Sequence, residues 1–413
     1  MTRSRGKQLY YFTTSYPWGM GFTWKANELV YLREYFDCVT VVPYCYEDNF
    51  HSPKPLPEGV SAVEPLFREG TPKIELRTAL EIIDRHAGYY ATELARKRPF
   101  SNRAQLGAWL GASIQTSRLL RHPVIRRIMN APDPDTSLCF FWGRGACDFL
   151  PFVDKRRFRS VIVRFHRYDL FEDENSGYMP YRRQLLESTT IAAPSSEKGV
   201  RHLRSLYPDL TKSIRLARLG VPRLPELAMS SDGVLRVLSC SFVTPRKRVD
   251  LIADALREVR FPVHWTHVGD GPDMKALRAQ VARLPSNVET YLPGNVAADE
   301  LFKFYQQRPV DVFVNVSTSE GIAMTILECL SAGVPVFATD VGGSSEVVDQ
   351  TVGLLLPADV TARQLAAELE RFHALPTSEK RLRREAAVRR HRERSDVEVL
   401  TRELARQLLE PGA

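Results

Sequence analysis

The stretch from Ser319 to Val348, SEGIAMTILECLSAGVPVFATDVGGSSEVV, constrains the fold more than any other. It reads as loop, helix, turn, strand and glycine loop in thirty residues. The apolar, β-branched run before it, Asp311–Ser317, has the composition of a strand buried on both faces of a parallel sheet. Gly321 permits a tight turn where that strand ends. A helix is expected over Ala323–Ala332, stopped by Gly333 with Pro335 beyond it. Strand, helix, strand is the repeating unit of an open α/β sheet. Glu320 then falls at the carboxyl end of a strand, beside the positive end of a helix, and Glu328 in that helix's second turn. Ligands gather in this crevice. Free backbone N–H groups there suit a diphosphate, whereas carboxylates repel phosphate and suit sugar hydroxyls.

Glu320 and Glu328, with SAGVPV and DVGGSSE after them, resemble the donor site of retaining GT-B glycosyltransferases of family four, the group 1 glycosyl transferases. Two glutamates at this spacing occur on many ordinary helices. The Gly-Val-Pro-Val and Asp-Val-Gly-Gly that follow are what make the pattern specific. The resemblance implies that Glu320 binds hydroxyls of the donor sugar and Glu328 the ribose of the nucleotide. It implies that the diphosphate meets the intervening backbone, at Gly321, Ile322, Ala323 and Thr325.

A chain of 413 residues exceeds what one core supports, so two domains are expected, at 1–222 and 223–395. Ser395 and Glu398 have the spacing of a capping box opening a last amphipathic helix, which the resemblance implies packs back on the first domain. The arginine-rich stretch before it, 380–394, reads as an exposed helix. No apolar run has the length of a membrane span, and the amino-terminal stretch lacks a signal-peptide core, so a cytoplasmic protein is expected. The six cysteines form no Cys-x-x-Cys pair and have no histidine at metal spacing, so buried free thiols are expected. No metal or resident cofactor is expected. The one Asp-x-Asp, Asp133-Pro134-Asp135, has the composition of a turn.

Lys plus Arg exceed Asp plus Glu by 57 to 49, a net charge of +8. Residues 95–132 hold eight cations and no acid, with Phe100, Trp109 and Leu110 among them. That mixture suits an anionic membrane surface, against the plainer reading of a solvated basic face. Nucleic acid is disfavoured because no reader motif accompanies the charge.

In chain order, Lys7–Tyr16 reads as a first strand, with Gly19 and Gly21 in the turn that follows. The resemblance implies that this turn faces the diphosphate and the acceptor. Gly21-Phe22-Thr23-Trp24 lacks the glutamate many relatives carry there. Residues 71–130 read as helical with breaks at Pro99 and Pro123. Arg164, His166 and Asp169 sit together at a later strand's carboxyl end, where function is favoured over packing. The resemblance implies that His166 lines the cleft wall near the donor sugar. It also implies that Arg164, Asp169 and Tyr178 serve the acceptor side.

In the second domain Lys247 follows the strand Leu235–Cys240 and matches the lysine that holds the donor diphosphate. The Gly-Arg that usually precedes it is Ser241-Phe242 here, so Arg246 or Arg248 is expected to supply the missing guanidinium. Gly269 and Gly271 match a turn near the nucleotide, and Pro293 the region against which the base rests. The whole implies two Rossmann-like domains facing a cleft. Within it a sugar passes, with retention, from a nucleotide diphosphate to an acceptor glycan or lipid-linked glycan. A non-catalytic nucleotide-sugar-binding or membrane-surface module with the same fold is the alternative.

Overall fold

A computed structural model describes the chain except residues 1–5, 20–22, 47–51, 71–79, 83–84, 98, 100–101, 131–132, 299 and 412–413. It divides into two units, Met1–Arg218 with Val399–Ala413, and Leu219–Glu398.

The first unit is built on six parallel strands: β1 (Gln8–Thr13), β2 (Cys38–Pro43), β3 (Val60–Ala62), β4 (Thr136–Phe140), β5 (Ser160–Phe165) and β6 (Ile191–Pro194). Their order is β3-β2-β1-β4-β5-β6. The second has β7 (Leu235–Cys240), β8 (Val263–Val268), β9 (Val288–Gly294), β10 (Val312–Asn315), β11 (Val336–Thr339) and β12 (Gly353–Leu356). Their order, β12-β11-β10-β7-β8-β9, is the same doubly wound arrangement read from the other edge. Each sheet therefore has one switch point, between β1 and β4 in the first unit and between β7 and β10 in the second.

Period-two burial holds the second sheet. Val237, Val312 and Val314 point to one face, against the helices Val249–Glu258 and Ala362–His373. Leu238 and Phe313 point to the other, against Met324–Ser331 and Thr377–Arg394. The last of these is more than a solvated face, because Arg384 and His391 are buried on it. Arg384 donates to the Val310 and Leu227 carbonyls, and His391 Nε2 to the Val221 carbonyl at 3.0 Å. The final helix, Val397–Leu409, starts on a cap one residue later than the sequence spacing suggests. Asp396 Oδ1 accepts from Glu398 N at 3.0 Å, while Ser395 Oγ turns back to the His391 carbonyl. Farther along, its Leu408 carbonyl accepts from Ser137 and Ser160 on β4 and β5, at 3.0 and 2.7 Å, within the first unit.

The basic segment contains the helices Ala87–Lys97, Arg103–Arg121 and Pro123–Asn130. Its apolar residues correct the expectation from sequence. Trp109 is buried and its Nε1 donates to the Tyr90 carbonyl at 3.1 Å, and Leu110 packs against the same cluster. Phe100 and Arg98 lie outside the described residues. What faces solvent is charge: Arg96, Lys97, Arg103, Arg121, Arg126 and Arg127 are exposed. No helix among the described residues is long and apolar enough to cross a membrane.

Candidate active site

The carboxyl ends of β7 and β10, paired at the second switch point, bring Lys247 and Glu320 together. Lys247 Nζ donates to Glu320 Oε1 at 2.5 Å, and Ser317 Oγ to the same oxygen at 2.7 Å. Both side chains are largely buried, so the pair is shielded from solvent and salt. Thr318 N donates to the Arg246 carbonyl at 2.8 Å, tying the loop after β10 to the loop after β7.

The Asp-Val-Gly-Gly segment is mechanically part of this site. Gly342 has φ +59°, and a Cβ there would stand 1.8 Å from the Glu320 carbonyl oxygen. Gly343 N donates to the Gly321 carbonyl at 2.6 Å. The glycine loop after β11 thus presses on the backbone that carries Glu320. Gly269, at φ +135°, and Gly271 play the same part after β8. A Cβ on them would meet the Ser241 and Val243 carbonyls at 2.0 and 2.4 Å. Gly269 N also donates to the Gly294 carbonyl at 2.9 Å, beside Pro293 at the end of β9.

The helix over Met324–Ser331 starts one residue after the expected position, with Ala323 as its extended cap. Gly321, Ile322, Ala323 and Thr325 therefore lie in the approach and first turn. The Glu328 carboxylate has no hydrogen-bond partner among the described residues, while its backbone carbonyl accepts from Ala332 N at 3.0 Å. Its side chain keeps partial exposure, yet burial pushes its carboxyl up to about 7.

Of the two arginines expected to replace the missing guanidinium, Arg248 is engaged with backbone carbonyls. Arg248 Nε donates to the Val316 carbonyl at 2.7 Å and its Nη2 to the Ala358 carbonyl at 2.9 Å. It pins two loops. Arg246 is exposed, and Phe242 presents a ring that is 68% exposed.

In the first unit Arg164 faces inward, which corrects its assignment to an acceptor surface, while Asp169 is buried and still lines the cavity described below. Arg164 is 1% exposed; its Nη1 donates to both Glu28 oxygens, at 2.6 and 2.9 Å. Its Nη2 donates to the Ala217 and Arg218 carbonyls. Asp169 accepts from His166 N at 2.6 Å and from Gly143 N, so it fixes the loops after β4 and β5. Tyr178 is likewise engaged, donating to Glu93 Oε1 at 3.1 Å.

His166 packs flat on Phe141 and edge-on to Trp142. Burial and the neighbouring Arg164 lower its pKa to about 3, so the ring is neutral. Nε2 lies 2.9 Å from the Phe141 carbonyl, which can only accept, so Nε2 carries the proton and Nδ1 is left as an acceptor. Gly19 is buried in the loop after β1, and Gly21 lies outside the described residues.

A cavity of about 340 Å³ opens beside this cluster, at the carboxyl ends of β1, β2 and β4. Thr13, Tyr44, Gln115, Trp142 and Tyr168 line it, with Arg144. No periodic signal in the sequence marks it, because its walls come from the loops after five strands and from a helix. Among the described residues no group of three or more His, Cys, Asp or Glu is placed to hold a metal.

Residues 235–374 match the family of group 1 glycosyl transferases. The matched stretch holds Lys247, Glu320 and Glu328. Over 261 residues the chain is 25% identical to the putative colanic acid biosynthesis glycosyltransferase WcaL of Escherichia coli K12, covering 60% of this chain and 63% of that protein. The alignment with WcaL of Salmonella typhimurium covers 55% of it, so the chain spans under two thirds of the curated relatives it matches first. In three dimensions it is similar to the lipopolysaccharide outer core galactosyltransferase WaaB, with a TM-score of 0.67 at 12% identity, covering 96% of this chain and 98% of that one. The Anabaena protein Alr3699/HepE, solved with UDP-glucose, superposes with a TM-score of 0.60 at 15% identity, covering 98% and 99%. The fold is GT-B. Lys247, Glu320 and Glu328 all belong to its second unit.

Proposed function

We propose that this protein is a retaining glycosyltransferase, moving a sugar from a nucleotide-diphosphate sugar to an acceptor hydroxyl in the assembly of a surface polysaccharide or related glycoconjugate. The observation that carries the reading is the Lys247–Glu320 contact, 2.5 Å long, at the switch point of the second sheet and inside the matched family region. The names of the relatives, which concern colanic acid and lipopolysaccharide, support the substrate class.

In this reading unit 2 holds the donor. Lys247 and the free N–H groups from Gly321 to Thr325 take the diphosphate, with exposed Arg246 available as a second cation. Glu320 is released from the ammonium as phosphate arrives and accepts from the sugar hydroxyls, while Glu328 accepts from the ribose. Unit 1 holds the acceptor, and neutral His166 offers Nδ1 as an acceptor but cannot act as an acid at neutral pH. The departing phosphate oxygen takes the acceptor's proton as the new bond forms on the same face. No protein nucleophile is needed, and positioning with electrostatic stabilisation supplies the acceleration. The ammonium and backbone dipoles take the place of a divalent metal.

The test is incubation of purified protein with a panel of nucleotide sugars, with and without EDTA, following release of nucleoside diphosphate. EDTA-resistant, donor-selective release supports the reading. Donor binding with no turnover on any acceptor would favour the non-catalytic module instead. The exposed cations of residues 95–132 belong to the same proposal as an electrostatic dock on an anionic membrane leaflet, which would bring the enzyme to a lipid-linked acceptor.

A further inference from the structure

A second cavity in unit 1, of about 160 Å³, adjoins the larger one, and Gln115 and Arg144 line both. One wall is the helix Arg103–Arg121, which contributes Gly107 and Gly111, four residues apart and so on one face. A glycine within a helix costs about 1 kcal/mol relative to alanine. These two are not glycine for want of room, since a Cβ at either would meet no atom within 4 Å.

Another wall holds Arg182, which is 4% exposed and whose Nη1 has no hydrogen-bond partner among the described residues. Its Nη2 donates to the Asp169 carbonyl, and the guanidinium lies 4.9 Å over the Phe165 ring. A buried cationic donor left unsatisfied is costly, so its retention points to something it receives. Arg144, exposed and held to Asn175 Oδ1 at 2.6 Å, brings a second guanidinium to the cavity mouth. Against the two cations stands one carboxylate on this wall, Asp148. Burial pushes it up to about 7, so it holds its proton to higher pH than an ordinary carboxylate, and the protonated form donates to an anion instead of repelling it.

We propose that the smaller cavity binds an anionic substituent, a carboxylate or a phosphate, of an acceptor whose sugar ring occupies the larger cavity, with Arg182 and Arg144 as its cationic contacts. The inference rests on the reading of unit 1 as the acceptor-binding unit. The volumes agree with it: the larger cavity admits a sugar ring, the smaller one a charged group on that ring.

The test is binding to the intact chain without donor. Glucose, glucuronic acid and glucose 6-phosphate are titrated by ligand-observed NMR into wild type, Arg144→Gln and Gly111→Leu. Leucine at 111 extends into open space, and the thermal midpoint of that variant shows whether it folds. At least one anionic sugar should bind wild type about tenfold or more tighter than glucose, and both variants should lose that preference. Preference for glucuronic acid alone marks a carboxylate site, and preference for glucose 6-phosphate alone a phosphate site. Equal binding of all three sugars by wild type, or a preference that survives in folded Gly111→Leu, overturns the proposal. If Gly111→Leu does not fold, Arg144→Gln decides on the same criterion. Nucleotide-sugar turnover is measured separately on the same preparations. An anionic preference without any turnover counts against the transferase reading and leaves the cavity assignment standing.

Discussion

Lys247 and Glu320 form a largely buried ion pair, and that pairing sets how each should respond to substitution. Removing one partner strands the other in a largely buried place, which commonly costs about 3–5 kcal/mol when burial is complete and less here. Glu320→Gln and Lys247→Ala should each lower donor turnover about a hundredfold or more and also lower the melting temperature. The double variant Lys247→Met/Glu320→Gln separates the two effects: stability should recover, because no charge is left alone, while turnover should not. Turnover near wild type in either single variant would remove the pair from the site. Glu328 makes a separate prediction. Its carboxyl is raised from 4.5 to about 7 in the folded chain, so the folded state holds a proton that the unfolded state has released between those values. Stability of the donor-free protein should therefore fall as pH rises through that window. The ionised form is the stronger acceptor of ribose hydroxyls, so kcat/KM for the donor should rise through about pH 7. In Glu328→Gln both dependences should flatten. A wild-type profile with no inflection there would take Glu328 out of donor binding.

The elements were legible to different degrees, for physical reasons. Most of the strands are apolar runs, several of them β-branched or aromatic, bounded by glycine, proline or polar residues, and these stand out in the chain. β3, three residues long and only partly buried, has no such signature. The donor elements were readable because Gly342, Gly269 and Gly271 are imposed by close backbone approach, a constraint that sequence records directly. The roles of Arg164, Asp169, Tyr178 and Arg248 were not readable. A charged or phenolic side chain at a strand end looks the same in sequence whether it meets a ligand or a buried carbonyl. Gly342→Ala should expose the coupling between elements. A Cβ 1.8 Å from the Glu320 carbonyl at positive φ must displace the loop, lowering both thermal midpoint and donor affinity. Wild-type values for both would show that the loop does not set Glu320. In the basic helices Trp109 is inside, so membrane attraction would rest on charge alone. Sedimentation with acidic vesicles should be strong at low salt and fade past roughly 0.15 M, where the Debye length is about 8 Å. Arg121→Glu/Arg126→Glu/Arg127→Glu should abolish it, and equal sedimentation of both proteins would leave a solvated face.

For the whole molecule, the two sheets share one winding order, yet their switch points differ in chemistry. The second gathers an ammonium, two carboxylates and a helix start, as a nucleotide-sugar site requires. The first gathers aromatic rings, hydroxyls and guanidinium groups around two adjoining cavities, as a glycan site requires. In the proposed reading, the division of labour follows from side chains at strand ends, since the scaffolds are alike. The central claim is that donor chemistry at the second switch point proceeds with retention and without a metal. It is tested most directly by proton NMR of the anomeric signal as the purified chain consumes a nucleotide sugar in EDTA. The account predicts that the transferred sugar, or the sugar first released to water, keeps the donor's anomeric configuration, and that Lys247→Ala abolishes the signal change. An inverted product, or turnover that appears only when a divalent metal is restored, would contradict it.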